Sequence, residues 1–171
     1  MISAQRKVAF GASSGIISMV LLVGLLYWLL PAVTAVDTLA DRIAFALRMN
    51  IFAMMPLFVM LAAVGNGRFF SDAIDPLKHK ESTSIEINGR VADNTLQQNV
   101  VFLAGTLALS TFLTPGSMKL IVALTVIFIL ARVVFWIGYR MHPLYRAPGM
   151  AATSYLNLGV LASDIILFIW K

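Results

Sequence analysis

Apolar residues along the chain gather into five long stretches, at 8–31, 43–64, 95–113, 120–139 and 150–170. Between them lie polar segments carrying Gly and Pro, at 31–41, 65–93, 114–119 and 140–149. A bilayer core about 30 Å thick is crossed by about 20 apolar residues in a helix, so each stretch reads as one membrane span. The gap at 65–93 is too short for a separate domain, and Gly65-Asn66-Gly67 at its start reads as a turn. The pattern predicts an all-α integral membrane protein, with an N-terminal transmembrane helix and short loop at 1–42 and a four-helix membrane bundle at 43–171.

Two readings of the first span stay open. Arg6 and Lys7, then an apolar run, then Val33-Thr34-Ala35 have the layout of a signal peptide with a small-residue cleavage point. The run is longer than a usual signal core, which favours a retained anchor. Within it, Gly11-Ala12-Ser13-Ser14-Gly15 is a GxxxG pattern that permits close approach of another helix.

Composition agrees with a bundle that has little water-soluble mass: 60% of residues are apolar, 12% are charged and mean hydropathy is +0.87. Arg6, Lys7, Arg68, Lys78, Lys80, Arg90, Arg140 and Arg146 fall on one side of a five-span topology. Arg42, Lys119 and Lys171 fall on the other. Basic residues concentrate in cytoplasmic loops, which predicts a cytoplasmic N-terminus. The net charge of +5 is then mostly topology. No continuous basic surface or recognition motif calls for nucleic acid.

Several chemistries are excluded at this level. The chain has no Cys, so it lacks disulfides, thiolate ligands and a cysteine nucleophile. His79 and His142 lie in different loops without metal-ligand spacing and read as solvated surface. There is no nucleophile elbow, phosphate loop or dinucleotide fingerprint. Covalent chemistry in this chain would have to borrow its nucleophile from a cosubstrate.

Polar residues inside the bundle carry the remaining signal. Arg90, Asn94 and Gln97 fall at i, i+4 and i+7 and predict a polar face where the third span begins. Arg132, Phe135 and Tyr139 fall at i, i+3 and i+7 on the fourth span, and Arg146 follows. Arg132 lies eight residues before Arg140, or about 12 Å into the helix, where a charge is costly unless paired or hydrated. A structural arginine satisfied by carbonyls, a neighbouring acid or lipid headgroups is one account. Two polar faces at one depth favour a hydrated anion site.

These residues, in this order, resemble the MAPEG family, the membrane-associated proteins in eicosanoid and glutathione metabolism. The resemblance rests on Arg90-x-x-x-Asn94-x-x-Gln97, on Arg132-x-x-Phe135-x-x-Gly138-Tyr139, on Arg146-Ala147-Pro148 and on Arg68 in Gly67-Arg68-Phe69, and it spans residues 43–171. It implies a MAPEG-like four-helix subunit assembled as a homotrimer, with glutathione bound as cosubstrate near the cytoplasmic leaflet of a bacterial inner membrane. Arg68, Arg90, Asn94, Gln97, Arg132, Phe135 and Tyr139 would form the binding site. Arg146, with Tyr139, would be catalytic and hold the thiol as thiolate, since a nearby guanidinium lowers a thiol's pKa. Two positions depart from the family pattern: Gln97 stands where Glu is usual, and Phe135 where Tyr is frequent. Asp93 is a candidate for the missing charge.

The expected function is therefore a membrane transferase or peroxidase that uses glutathione to conjugate lipophilic electrophiles or reduce lipid hydroperoxides. The alternative is a non-catalytic bundle of the same shape that binds lipid or organises a partner. A transporter would be expected to show repeats or broken helices in matched halves, and neither is evident. Asp164, in the last span, is expected to be a helix–helix hydrogen-bond partner.

Overall fold

A computed structural model describes residues 3–78 and 80–170 and consists of five long helices joined by short connections. They are α1 (Ser3–Leu29), α2 (Leu39–Phe69), α3 (Thr83–Phe112), α4 (Lys119–Met141) and α5 (Ala147–Ile169). With the short 3₁₀ turns that lead into α4 and α5, four of the five are long and apolar enough to cross a membrane. The chain is an all-helical, multi-pass membrane protein. In α3, Gln97, Gln98 and Asn99 interrupt the apolar run, and the helix is held among its neighbours by packing on α2, α4 and α5.

Local chemistry sets the helix starts. Thr38 caps α2, its Oγ1 accepting from the Asp41 N–H at 3.1 Å while Asp41 Oδ2 accepts from the Thr38 N–H at 3.2 Å. This reciprocal box satisfies donors that a helix start leaves unpaired. The incoming strand of loop turns at Ala35, which takes a positive φ of 58°. Ser82 caps α3 by accepting from the Ile85 N–H at 3.4 Å.

Two sequence expectations are corrected here. The third apolar stretch opens at residue 95, but the helix that carries it begins at Thr83, two turns before Arg90. Ile85, Asn88, Val91, Ala92 and Thr95 recur at helical spacing and are buried, so the polar stretch before the apolar run is helix. Gly65-Asn66-Gly67 is no turn but part of α2. There the missing side chain lets α3 approach, because a Cβ on Gly67 would lie 2.9 Å from Ile85 Cγ1.

Inside a bilayer, lipid is as apolar as a side chain, so helices associate through close packing and hydrogen bonds instead of burial from water. The centre of the bundle shows such packing: Phe102 of α3 stacks on Phe128 of α4 with centroids 4.4 Å apart, both fully buried. The GxxxG pattern of α1 meets α5. A Cβ on Gly11 would lie 3.3 Å from Ala147 Cβ, and one on Gly15 would fall on the Pro148 carbonyl. Gly149 plays the same part between α5 and α4, where a Cβ would collide with the Phe135 N and Ala131 O.

Candidate functional site

Helix α3 brings Arg90 and Asn94, α4 brings Phe135 and Tyr139, and the turn after α4 brings Arg146, with Met150 on α5 completing the wall. These residues line a cavity of about 400 Å³ at one end of the bundle. The Arg146 guanidinium lies 4.8 Å from the Tyr139 ring centroid, and Tyr139 meets Phe135 edge-on at 5.9 Å. Such a stack holds a guanidinium without neutralising it. No salt bridge reaches Arg146 among the described residues. Arg90 is paired with Glu86 at 2.6 Å. The Tyr139 side chain and Glu86 hold its guanidinium above its ordinary pKa.

Arg132 stands behind this wall. It is 0% exposed and donates to Asn94 Oδ1 at 2.9 Å, to the Gly149 carbonyl at 3.2 Å and to Thr153 Oγ1. Its guanidinium also lies 4.6 Å from the centroid of Phe135. No carboxylate takes part. Oxygen dipoles and one aromatic face stand against the charge, and Nε is buried without a partner. By engaging the Asn94 oxygen, Arg132 leaves the Asn94 amide donors for the cavity. Trp136 Nε1 donates to Asn88 Oδ1 at 2.9 Å and ties α4 to α3 beside the site.

The expected site residues thus separate. Arg90, Asn94, Phe135, Tyr139 and Arg146 come together. Arg132 is their support and does not line the cavity. Gln97 is exposed on the outer face of α3. At 100° per residue it sits about 60° round the helix from Asn94, so the stripe twists out of the site. Arg68 pairs instead with Glu81 at 2.6 Å, outside the cavity lining. Asp93 is exposed and also outside it. His142 caps the turn before Arg146, its Nδ1 accepting from the Leu144 N–H at 3.1 Å. His79 lies outside the described residues. Met150 and Thr153 were not anticipated. Thr153, a hydroxyl in an apolar run near Arg132, was the available signal, whereas nothing marks Met150.

A second cleft of about 280 Å³ adjoins the first and is bordered by Val8 and Ala12 of α1, Leu144, Ala151 and Tyr155. Arg146 and Met150 line both spaces. Two guanidiniums and an amide reach the first space, while the second is bordered mostly by apolar side chains.

The chain is similar to transmembrane protein 79 of mouse, 25% identical over 128 residues that cover 75% of this chain and 32% of that protein. It is similar to the bovine protein of the same name at 24% over 124 residues, covering 72% and 31%. The chain therefore spans about a third of the length of these curated relatives. No protein-family model and no solved structure matches it. These findings overturn the resemblance to the MAPEG family. The relatives bear a different name and the ordered set of arginines, amides and aromatics is not specific enough to carry the assignment against them. The bacterial setting that rested on the resemblance finds no support in mammalian relatives.

Proposed function

We propose that the chain is a non-catalytic membrane bundle that binds an anionic amphiphile, its acidic head in the Arg90–Arg146 cavity and its acyl chain in the cleft beneath α1. The observation that carries this reading is the position of Arg146 and Met150 on the wall shared by a cavity that two guanidiniums and an amide reach and a cleft bordered mostly by apolar side chains. A lipid with an acidic headgroup has that same division of chemistry. A guanidinium suits phosphate or carboxylate because its planar fork donates two parallel hydrogen bonds. Glutathione offers two carboxylates but no apolar tail, so it would fill only half of the site.

The same reading places the N-terminus and the 70–80 and 142–146 connections at the cytoplasmic side, where acidic lipids concentrate. It also includes self-assembly, as a trimer, through α3. The outer face of that helix exposes Asp93 and Gln97, then Ala104 and Ala108, with Thr111 half-buried beyond them. Polar groups there are costly against lipid, and small residues allow a second helix to approach.

The test is native mass spectrometry of the full chain released from vesicles of phosphatidylcholine with or without phosphatidylserine. The account expects retained phosphatidylserine on oligomers, displaced neither by glutathione nor by inorganic phosphate. Glutathione bound with displacement of lipid would overturn the amphiphile reading. Monomers alone would overturn the assembly.

A further inference from the structure

Asp164 does not do what the sequence suggested. It is 9% exposed, and neither carboxylate oxygen has a hydrogen-bond partner. No ion pair reaches it among the described residues. Nor is it isolated in this respect. Asn99 is 1% exposed with both amide atoms unpartnered, and Asn50 Oδ1, Asn157 Oδ1 and Thr95 Oγ1 are buried without partners too.

These groups lie in order. On α3, Thr95, Asn99 and Thr106 are spaced by four and then seven residues, and on α5, Thr153, Asn157 and Asp164 repeat that spacing. Each trio therefore shares one helical face, that of α3 lying about 60–100° round the helix from Gln98 and Gly105 and turned toward α2. The two helices run side by side in the same direction, with Asn157 Nδ2 donating to the Gln98 carbonyl at 3.0 Å and to Gln98 Oε1 at 2.9 Å. Further along, Gly105 packs against Val160. Asn50 joins from α2 by donating to Thr106 Oγ1 at 2.9 Å. The seam runs about 16 Å along α5, from Thr153 beside Arg132 to Asp164.

Most of the unpartnered atoms are oxygens with lone pairs to offer and no donor to meet. An ionised carboxylate among them, at membrane depth, must acquire a compensating positive charge. Among the described residues no basic side chain pairs with it, and the unpartnered Nε of Arg132 lies at the far end of the row, beside Thr153. Lys119 Nζ donates to the Leu30 carbonyl at 3.2 Å and lies over the Tyr27 ring. Arg42 donates to the Asp37 carbonyl at 3.0 Å, Asp41 is held in the α2 cap, and Arg48 is exposed. We propose that the polar groups buried along α3 and α5 form a hydrated site for a small monovalent cation, with Asp164 as its charged ligand and the amides of Asn157, Asn99 and Asn50 carrying water toward it from the side of the Gly105–Val160 contact. Seven residues, about 10 Å, separate Asn157 from Asp164, so water joins them and no single ion touches both. The cation is a proton or sodium, both of which carboxylate and amide oxygens accept.

The experiment uses the full chain in nanodiscs at neutral pH, read by infrared spectroscopy and by thermal unfolding in sodium chloride against choline chloride at equal ionic strength. A bound proton predicts a carboxylic-acid C=O band that shifts in D2O, vanishes in Asp164→Asn and moves in Asp164→Glu. Bound sodium predicts no such band but a sodium-specific rise in Tm that Asp164→Asn abolishes. Either result supports the site. Asn99→Leu should then slow the D2O shift at least about tenfold, a barrier of roughly 1.4 kcal/mol, or weaken the sodium effect. Wild type with neither band nor sodium effect overturns the proposal, and that outcome needs no variant to fold. A band or sodium effect that persists unchanged in Asp164→Asn overturns it as well, and an unaltered response in Asn99→Leu overturns the water track.

Discussion

Arg146 and Arg132 show how position divides one residue type into two roles. Arg146 is partly exposed, stacks on Tyr139 and has no salt bridge among the described residues, so its charge can meet a ligand. Arg146→Ala is expected to lower affinity for an acidic lipid about 10- to 100-fold, the contribution of a hydrogen bond to a charged group. Arg146→Lys should recover part of that loss, because it keeps charge without the fork. Equal lipid retention by all three proteins in native mass spectrometry would remove Arg146 from the site. Arg132 instead spends its donors on Asn94, Gly149 and Thr153. Arg132→Ala would orphan those acceptors and open a cavity, costing about 3 kcal/mol of stability. An ammonium cannot reach all three, so Arg132→Lys should not restore Tm in detergent. An unchanged Tm in Arg132→Ala would mean that the three contacts are not made.

At the scale of elements, the docking of α1 decides whether the apolar half of the site exists, because Val8 and Ala12 form part of its wall. The chain has no native Cys, so an engineered pair reports without background. A Cβ on Gly11 lies 3.3 Å from Ala147 Cβ, close to the usual disulfide separation of roughly 3.5–4.5 Å. Gly11→Cys with Ala147→Cys is expected to oxidise to an intramolecular crosslink, seen as a mobility shift that reductant reverses. Failure to crosslink would undo the α1–α5 contact and the cleft with it. Four of the helices were legible because each carries an apolar run of bilayer length, and α3 by the shorter run that follows Gln97, Gln98 and Asn99. The start of α3 was not, since its polar residues pack by periodicity against α2 and present no apolar run. Spacing placed Arg90 with Asn94 and Phe135 with Tyr139 on two helical faces, whereas Arg146 was joined to them as a site residue only through the family resemblance that the relatives overturn. Spacing misplaced Gln97, because a seven-residue step repeats a helical direction only to within about 20° and Asn94 had already turned inward. Arg68 was misplaced because its partner, Glu81, lies beyond the end of its helix, a pairing that periodicity cannot show.

For the whole molecule, the polar cavity and the unpartnered seam lie at different depths of one bundle, with Arg132 between them. In the proposed orientation Arg146 faces an acidic leaflet. With Cys introduced at Lys80 and at Thr114, a membrane-impermeant thiol reagent applied to intact cells should leave position 80 unlabelled and label position 114. Both sites labelled from outside would contradict the five-span topology. The most direct test of the amphiphile site is photolabelling with an acidic phospholipid that carries a diazirine in its acyl chain, followed by mapping of the adducts. The account predicts adducts concentrated on Val8, Ala12, Met150 and Tyr155 and lost in Arg146→Ala. Adducts spread evenly over the lipid-facing surface, or unchanged in Arg146→Ala, would contradict it.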